Sequence, residues 1–283
     1  MRIGIHDGLF PGSPSMTTAD ERAGEGYPGL EWVRGEKADD LPIQAHTDTH
    51  FFDLEAQAKK RIGILVEPCA LHPEFYRRVA DNLSAVRHYY DLVFTHYRPF
   101  LALGAPFVYY PFGGSRIREW GMFQKEKNIS LIVGAKNQTA GHQLRHRVAE
   151  HDEIIATQDL YGQPFTDWMP SKVPALRPYR FSIVIESARE EGHFTEKLID
   201  CFSQATIPIY WGAPDIGSFF DERGMLPASN MSEIVREVRA VGHQPDSLYR
   251  AMLPYLRINL ELARQYVFAE RWIAREMVKH GIA

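Results

Sequence analysis

Residues 180–212 read RFSIVIESAREEGHFTEKLIDCFSQATIPIYWG, and this stretch decides the fold. The apolar run at residues 181–185 predicts a β-strand, and the polar, glycine-containing segment after it predicts a loop. Leu198, Ile199 and Phe202 have the spacing of one buried helical face, and residues 207–211 predict a second strand. A strand, loop, helix and strand in this order is the building block of a parallel α/β sheet.

Two residues of this stretch carry binding chemistry. Glu186 follows the first strand and Lys197 lies at the start of the helix, so both lie beyond the carboxyl end of a parallel strand, where such sheets bind ligands. A carboxylate there suits ribose hydroxyls, and an ammonium beside a helix N-terminus suits a phosphate. A Glu–Lys pair that merely caps the helix has the same spacing, and spacing alone leaves both interpretations open.

The stretch closely resembles the donor-binding motif of the α-1,3/1,4-fucosyltransferases, glycosyltransferase family 10. That motif runs roughly Y-[KR]-F-x-[IL]-x-x-E-N-S, a short loop, [YF]-x-T-E-K, a helix and [IV]-P-[IV]-x-x-G. Several uncommon elements recur here in order: Tyr179, Arg180, Phe181, Glu186, Phe194, Thr195, Glu196, Lys197, Ile207, Pro208, Ile209 and Gly212. Ser187 stands where the family usually has Asn, and His193 where it usually has Tyr, so the identity of the donor stays open.

The resemblance implies an α/β fold with two Rossmann-like domains facing across a cleft, the GT-B type. It implies an inverting glycosyltransferase that moves L-fucose, or a related sugar, from a GDP-sugar to a hydroxyl of a glycan acceptor. No metal and no other cofactor is expected, because cations of the protein would stabilise the leaving diphosphate. The residues that the resemblance assigns to the donor are Arg145, Glu186, Ser187, His193, Phe194, Thr195, Glu196 and Lys197.

Glu67 is the expected catalytic base. The apolar runs at residues 61–66, 91–95 and 106–110 alternate with helical patterns, which predicts a first Rossmann-like domain. Glu67 ends the first of these strands, and Pro68 after it keeps the glutamate extended. In the resembled family a glutamate at such a strand end takes the proton of the acceptor hydroxyl. A strand-end glutamate that only caps the next helix is the alternative.

Arg145 is the expected phosphate contact of the second domain. It lies on a predicted helix over residues 141–150, and the family places an arginine there, followed by a strand and a glycine. The run at residues 153–157 is the matching strand and Gly162 the matching glycine. Arg147 is the second choice for this role, and an arginine on a helix surface without function is the alternative.

A separate pattern, His46-x-Asp48-x-His50, raises the hypothesis of a metal site. On an extended segment the three side chains would share a face, and such clusters can hold zinc or iron. This motif supports an alternative function, a metal-dependent hydrolase. No further ligand cluster follows downstream, so a polar loop or a wall of the acceptor site is the preferred interpretation.

The predicted domains are residues 1–120 on the acceptor side, 121–258 for the nucleotide-sugar donor, and a helix over 259–283 that crosses back to the first domain. Residues 10–40 predict a long loop, residues 54–60 a helix, 73–89 one long helix, and 159–178 a loop over the cleft. The apolar stripe from Ile258 to Met277 requires a partner surface. A helix lying on a membrane surface is the alternative for this stripe.

The amino-acid composition and the net charge limit the classes of partner that the protein can bind. The 283 residues are 45% hydrophobic and carry a net charge of −4, which argues against nucleic acid as the main partner. The two cysteines, Cys69 and Cys201, predict buried thiols of a reducing compartment. Because no apolar run approaches the ~20 residues of a membrane span and no signal-peptide pattern is evident, we expect a cytoplasmic protein of the bacterial or viral type. A nucleotide-sugar-binding protein without transferase activity is the remaining alternative.

Overall fold

The computed structural model describes residues 1–10, 12–53, 58–163, 165–166 and 169–283. The chain forms two compact units. Unit 1 contains Met1–Thr18, Ala23–Phe112 and Phe268–Ala283, and unit 2 contains Ala19–Arg22 and Gly113–Val267. The sheet of each unit is parallel throughout the described residues, which confirms the predicted α/β fold class.

The sheet of unit 1 has the strand order β2-β1-β3-β4-β5-β6. Its strands are β1 (Arg2–His6), β2 (Glu31–Val33), β3 (Ile43–Thr47), β4 (Lys60–Ile64), β5 (Leu92–Thr95) and β6 (Phe107–Tyr109). Four helices lie between them in sequence: α1 (Glu36–Asp39), α2 (Pro73–Asp81), α3 (Leu83–Tyr89) and α4 (Arg98–Leu101). The chain runs outward from β1 to β2 and then returns to place β3 on the other side of β1, so the strand order reverses between β1 and β3.

The sheet of unit 2 has the order β11-β10-β9-β7-β8. Its strands are β7 (Lys127–Ile132), β8 (Asp159–Tyr161), β9 (Tyr179–Ile185), β10 (Ile207–Trp211) and β11 (Leu226–Pro227). Its helices are α5 (Ala140–Ala149), α6 (Asp152–Ile155), α7 (Val173–Leu176), α8 (Glu196–Ser203), α9 (Met231–His243) and α10 (Pro245–Ala263). The order reverses between β7 and β9, and parallel sheets bind ligands beyond the carboxyl ends of the strands at such a point.

The last helix, α11 (Glu270–Lys279), packs in the core of unit 1. Its apolar side chains Ile273 and Met277 are fully buried against strand residues that include Ile62 and Phe94. The first residue of the helix, Glu270, is also fully buried. Three hydrogen bonds compensate for the loss of its hydration, from Met16 N at 2.6 Å, Ser15 Oγ at 3.0 Å and Trp32 Nε1 at 3.1 Å.

Four predicted elements were wrong in detail. The helix predicted over residues 73–89 divides into α2 and α3 because the backbone of Asn82 leaves the helical region. The stripe from Ile258 to Met277 belongs to two helices, α10 and α11, separated by a 3-10 turn at Arg264–Tyr266. The strand predicted over residues 153–157 is mostly α6, and the strand that precedes Gly162 is β8. The long loop predicted over residues 10–40 contains β2 and α1.

Two further predictions cover ranges of which some residues lie outside the described part of the chain. In the predicted helix over residues 54–60, residues 54–57 lie outside the described residues, and Lys60 begins β4. In the predicted loop over residues 159–178, residues 164, 167 and 168 lie outside them, and the described remainder contains β8 and α7. Among the helices of the described residues, none combines the length and the apolar character that a membrane crossing requires.

Candidate functional site

Glu186 fixes the start of α8. It follows β9 directly, and its carboxylate is fully buried. Its Oε1 accepts from Thr195 N at 2.9 Å, and its Oε2 accepts from Thr195 Oγ1 at 2.7 Å and from Lys197 Nζ at 3.2 Å. A buried carboxylate requires such donors to offset its lost hydration. The end of β9 and the first turn of α8 are therefore one hydrogen-bonded structure.

Thr195 is the N-cap residue of α8. Its Oγ1 accepts from Lys197 N at 3.4 Å and from Lys197 Nζ at 2.9 Å, so it binds both the backbone and the side chain of the same residue. An N-cap threonine satisfies one of the free N–H groups at a helix start. The Lys197 ammonium is thus held at the positive end of the helix, with about a third of its side chain exposed.

Arg145 lies on α5, beside the end of β9. Its guanidinium is buried and donates to Ile185 O, and burial lowers its pKa although Glu186 and Glu196 act in the opposite direction. The helix approaches the strand end closely because Gly141 has no side chain: a Cβ there would lie 2.0 Å from Glu186 O. Arg147, the second choice from the sequence, is exposed to solvent.

A cavity of about 190 Å³ lies where the strand order of unit 2 reverses. Ile132 at the end of β7 and Ile185 at the end of β9 both line it. Its ionisable lining residues are Arg145, Lys172, Glu196 and Lys197, three cations and one carboxylate. Cations that line a cavity at a helix start suit an anionic ligand.

The protonation state of His142 reflects its burial and the cations around it. This residue is buried on α5, one turn before Arg145. Burial, together with Arg145, Lys136 and Lys197, lowers its pKa to about 4. His142 is therefore neutral at physiological pH, and its Nδ1 has no hydrogen-bond partner among the described residues.

Glu196 is the anion of the cavity. Burial opposes its ionisation, but Lys197, Lys172 and Arg116 together hold its pKa well below the ordinary value. Its Oε1 lies 3.4 Å from Lys172 Nζ and 3.8 Å from both Lys197 Nζ and Arg116 Nε. The carboxylate is therefore ionised and can accept hydrogen bonds from a ligand hydroxyl.

Sequence reasoning missed Lys172. Its ammonium lies 2.9 Å from Asp200 Oδ2 as well as 3.4 Å from Glu196. The residue belongs to the proline-rich segment predicted as a loop, and no motif singles it out. The only available signal is that Glu196 and Asp200 are one helical turn apart on α8, so two buried carboxylates require a nearby cation.

Three further residues assigned to the donor from the sequence lie beside the cavity rather than in its lining. Ser187 is half-buried, and its carbonyl accepts from Gly141 N at 3.3 Å. His193 is buried and its N donates to Glu190 O at 3.2 Å. Phe194 is fully buried, and its ring packs against Phe219, Phe220 and Tyr266 with centroids 5.0–5.4 Å apart. Phe194 thus contributes to the apolar core of unit 2.

Glu67 lies in unit 1, three residues after the end of β4. Its backbone is fixed at both ends of the residue: its N donates to Asp48 Oδ2 at 3.1 Å, and its carbonyl accepts from Tyr76 OH at 2.8 Å. Asp48 Oδ1 also accepts from Val66 N at 2.9 Å. Glu67 is half-buried on a loop whose backbone these hydrogen bonds hold in place, and its role as a base stays a prediction.

The structure does not bring His46, Asp48 and His50 together as metal ligands. β3 ends at Thr47 and a 3-10 turn follows, so the three residues do not share one extended face. The Asp48 carboxylate caps two backbone N–H groups, and His50 Nδ1 lies 2.8 Å from Asp53. In the described part of the chain no group of three His, Cys, Asp or Glu side chains is arranged to hold a metal ion. This arrangement does not support the alternative of a zinc or iron site at these three residues.

No model of a protein family matches the chain. Over 96 residues, or 33% of its length, the chain is 31% identical to the α-(1,3)-fucosyltransferase FucT of Helicobacter pylori. The matched segment spans only 20% of the length of that relative. The match confirms the resemblance in sequence to the α-1,3/1,4-fucosyltransferases.

Solved structures agree on the fold. A crystal structure of an α1,3-fucosyltransferase with GDP-fucose superimposes with a TM-score of 0.55 at 13% identity, covering 94% of this chain and 88% of that one. The Anabaena protein HepE, in complex with UDP and glucose, gives a TM-score of 0.63 at 10% identity, covering 98% and 99%. The chain has the α/β fold of the GT-B glycosyltransferases, as predicted.

Proposed function

We propose that this chain, which resembles the α-1,3/1,4-fucosyltransferases in sequence and the GT-B glycosyltransferases in fold, is an inverting glycosyltransferase. Its donor is a GDP-sugar, with L-fucose or a related sugar as the transferred group, and its acceptor is a hydroxyl of a glycan. One observation carries the proposal. The cavity at the strand-order reversal of unit 2 is lined by Arg145, Lys197 and Glu196, and the last two lie in the motif that carries the resemblance.

Different residues of the cavity bind different parts of the donor. Arg145 and Lys197 bind the diphosphate, and the positive end of the α8 dipole lies beside Lys197. The ionised Glu196 accepts hydrogen bonds from the ribose hydroxyls. The cavity, at about 190 Å³, is smaller than the roughly 300–1,000 Å³ of a pocket that encloses a whole drug-sized ligand. It therefore holds only part of the donor.

Glu186 acts through other residues. Its carboxylate is fully buried and already accepts three hydrogen bonds, from Thr195 and Lys197. We assign it the role of holding the Lys197 ammonium in place rather than of contacting sugar. This arrangement orients the cation before the donor arrives, which avoids the cost of ordering it during the reaction.

The reaction is a single displacement at the anomeric carbon. The acceptor oxygen forms a bond to that carbon while the bond from the carbon to the diphosphate oxygen breaks, so the configuration inverts. Glu67 takes the proton of the acceptor hydroxyl as general base. The departing diphosphate carries the electron pair, and Lys197 and Arg145 stabilise its developing charge.

We also propose that the reaction requires no metal ion. In many glycosyl transfers a divalent cation neutralises the leaving diphosphate, and here Arg145 and Lys197 supply positive charge at the cavity. Transfer activity that persists in excess EDTA supports this, whereas activity restored only by added Mg²⁺ or Mn²⁺ would contradict it.

The test begins with the nucleotide. Melting temperatures are measured with GDP, UDP and CMP, since a ligand that binds only the folded chain raises the melting temperature by mass action. GDP-fucose is then incubated with a panel of glycan acceptors, and both GDP release and the fucosylated product are measured. We expect stabilisation by GDP and a product with an α-linkage from the β-linked donor.

The outcomes separate the candidate functions. Stabilisation by UDP without GDP would replace the proposed donor. Binding of GDP-fucose with no product from any acceptor in the panel would favour the nucleotide-sugar-binding protein without transferase activity.

A further inference from the structure

The first turns of α8 carry two carboxylates on the same face of the helix. Glu196 and Asp200 are separated by one helical turn, and like charges at this spacing destabilise a helix. Asp200 is fully buried, and only a small part of the Glu196 side chain is exposed. A cation that contacts both carboxylates relieves the repulsion between them.

Lys172 is that cation. Its Nζ lies 2.9 Å from Asp200 Oδ2 and 3.4 Å from Glu196 Oε1, so one ammonium bridges both carboxylates. Burial opposes its charge, but Asp200 and Glu196 raise its pKa above the ordinary value. Its side chain has the same small exposed fraction as that of Glu196, and both residues line the cavity.

We propose that Lys172 is a positioning residue of the donor site: by bridging Asp200 and Glu196 it holds the Glu196 carboxylate oriented toward the ribose hydroxyls of a nucleoside diphosphate. This inference rests on the proposed function, because it assigns Lys172 a role through Glu196. The carboxylate that Lys172 binds most closely, that of Asp200, is itself held by further hydrogen bonds. Asp200 Oδ1 accepts from Ser115 Oγ and Arg116 N, both at 2.9 Å, which fixes the carboxylate that the ammonium grips.

The two acceptor oxygens of Asp200 allow the buried charge to be removed cleanly. Oδ1 binds Ser115 and Arg116, whereas Oδ2 binds only Lys172 among the contacts described. In Asp200→Asn the amide oxygen can keep the first two bonds while the amide nitrogen replaces Oδ2. The double variant Lys172→Met/Asp200→Asn therefore lacks the bridge without leaving an unpaired buried carboxylate, which would be strongly destabilising.

The test compares the affinities of GDP, 2′-deoxy-GDP and 3′-deoxy-GDP by calorimetry. In the wild type we expect loss of the hydroxyl bound by Glu196 to weaken binding about tenfold or more, as for a hydrogen bond to a charged group. In Lys172→Met, and in the double variant should the single one not fold, we expect GDP to bind about as weakly as that deoxy analogue. Lys172→Arg keeps the charge and should restore part of the preference for GDP.

Lys127→Met is the matched control. Lys127 is also in unit 2 and also pairs with an aspartate, Asp159 at 2.8 Å, but both side chains are half exposed and lie outside the cavity lining. This variant should keep the full preference for GDP over the deoxy analogues. A role of Lys172 in stability alone would lower the melting temperature and leave the preference unchanged, and that result would overturn the inference.

Failure of the inference differs from failure of the proposed function. If the wild-type chain binds none of the three guanine nucleotides, the proposed donor is wrong. If the wild type binds GDP and discriminates against a deoxy analogue, but both the single and the double variant retain that discrimination, the donor stands and the role of Lys172 is wrong.

Discussion

Thr195 holds Glu186 by two hydrogen bonds, from its N to Oε1 at 2.9 Å and from its Oγ1 to Oε2 at 2.7 Å. The same hydroxyl accepts from Lys197 Nζ at 2.9 Å. The end of β9, the N-cap of α8 and the ammonium that we assign to the diphosphate are therefore connected without a ligand. Such preorganisation is what makes a fixed cation effective at a developing negative charge.

Replacing Lys197 by Ala should lower the turnover number by about 10²-fold or more, because one charge partner of the leaving diphosphate is removed. The measurement is the rate of GDP release from GDP-fucose with a saturating acceptor. Lys127→Ala, an exposed lysine of the same unit, serves as the control and should be near the wild-type rate. A Lys197→Ala enzyme with near-normal turnover would refute the phosphate role.

Replacing Glu67 by Gln should lower the transfer rate by about 10²–10⁴-fold, the usual contribution of a general base. The amide has nearly the same shape, so the backbone bonds to Asp48 and Tyr76 remain, and GDP affinity should be unchanged. Glu74→Gln on α2, an exposed glutamate of the same unit, is the control. Reduced GDP affinity with intact chemistry would instead place Glu67 in the donor site.

Replacing Gly141 by Ala should destabilise the protein and weaken nucleotide binding. An alanine in a helix normally stabilises by about 1 kcal/mol relative to glycine. Here the added Cβ would lie 2.0 Å from Glu186 O and 2.7 Å from Ser187 O, both backbone atoms. To avoid them, α5 must move away from the end of β9 and take Arg145 with it. Melting temperature and GDP affinity measure the two effects.

Gly242→Ala is the matched control for this substitution. Gly242 lies on α9, and a Cβ there would meet no atom within 4 Å. We expect this variant to be as stable as the wild type or slightly more so, with unchanged GDP affinity. If Gly141→Ala and Gly242→Ala had the same melting temperature and GDP affinity, the close approach of α5 to the end of β9 would not require a glycine.

Asp48 should make the stability of the protein depend on pH. Burial raises the pKa of this carboxyl from 3.8 to about 7. Between these values the folded chain retains a proton that the unfolded chain has lost, so the free energy of unfolding falls as the pH rises, by up to ~1.4 kcal/mol per pH unit. Asp48→Asn cannot titrate. The wild type minus variant difference, measured by urea unfolding, should therefore decrease from pH 4 to pH 7.

Asp53→Asn provides the comparison, because the Asp53 side chain is largely exposed and binds His50 at the surface. Its difference from the wild type should show no comparable decrease over the same range. A wild type minus Asp48→Asn difference that stays constant with pH would mean that Asp48 remains ionised down to its ordinary pKa.

The sequence predicted the strands and the helix that carry the candidate site well, because their signals are local. The apolar run before Glu186, the helical spacing of Leu198, Ile199 and Phe202, and the strand after them correspond to β9, α8 and β10. The helix around Arg145 was also predicted from its local pattern, whereas the choice of Arg145 on that helix came from the resemblance. Whether these residues bind the donor stays a prediction.

What the sequence did not predict depends on contacts between distant segments. Lys172 contacts Glu196 and Asp200 of α8 only because the fold brings the segment after β8 beside that helix. The residues next to Lys172 in the sequence do not indicate this contact. Phe194 looked like a ligand contact by its place in the motif, yet it packs against Tyr266, 72 positions later in the sequence. The His46-x-Asp48-x-His50 pattern was misleading because β3 ends at Thr47, a boundary that the pattern does not mark.

The position of α11 in the core of unit 1 has a consequence for synthesis on the ribosome. Glu270, which binds Ser15, Met16 and Trp32, leaves the ribosome only after all of unit 2 has been made. Until then the Trp32 indole lacks its carboxylate acceptor, and the strand residues that pack against Ile273 and Met277 lack these contacts. Nascent unit 1 must therefore persist in an incomplete form, whereas unit 2 is synthesised in full before α11 emerges.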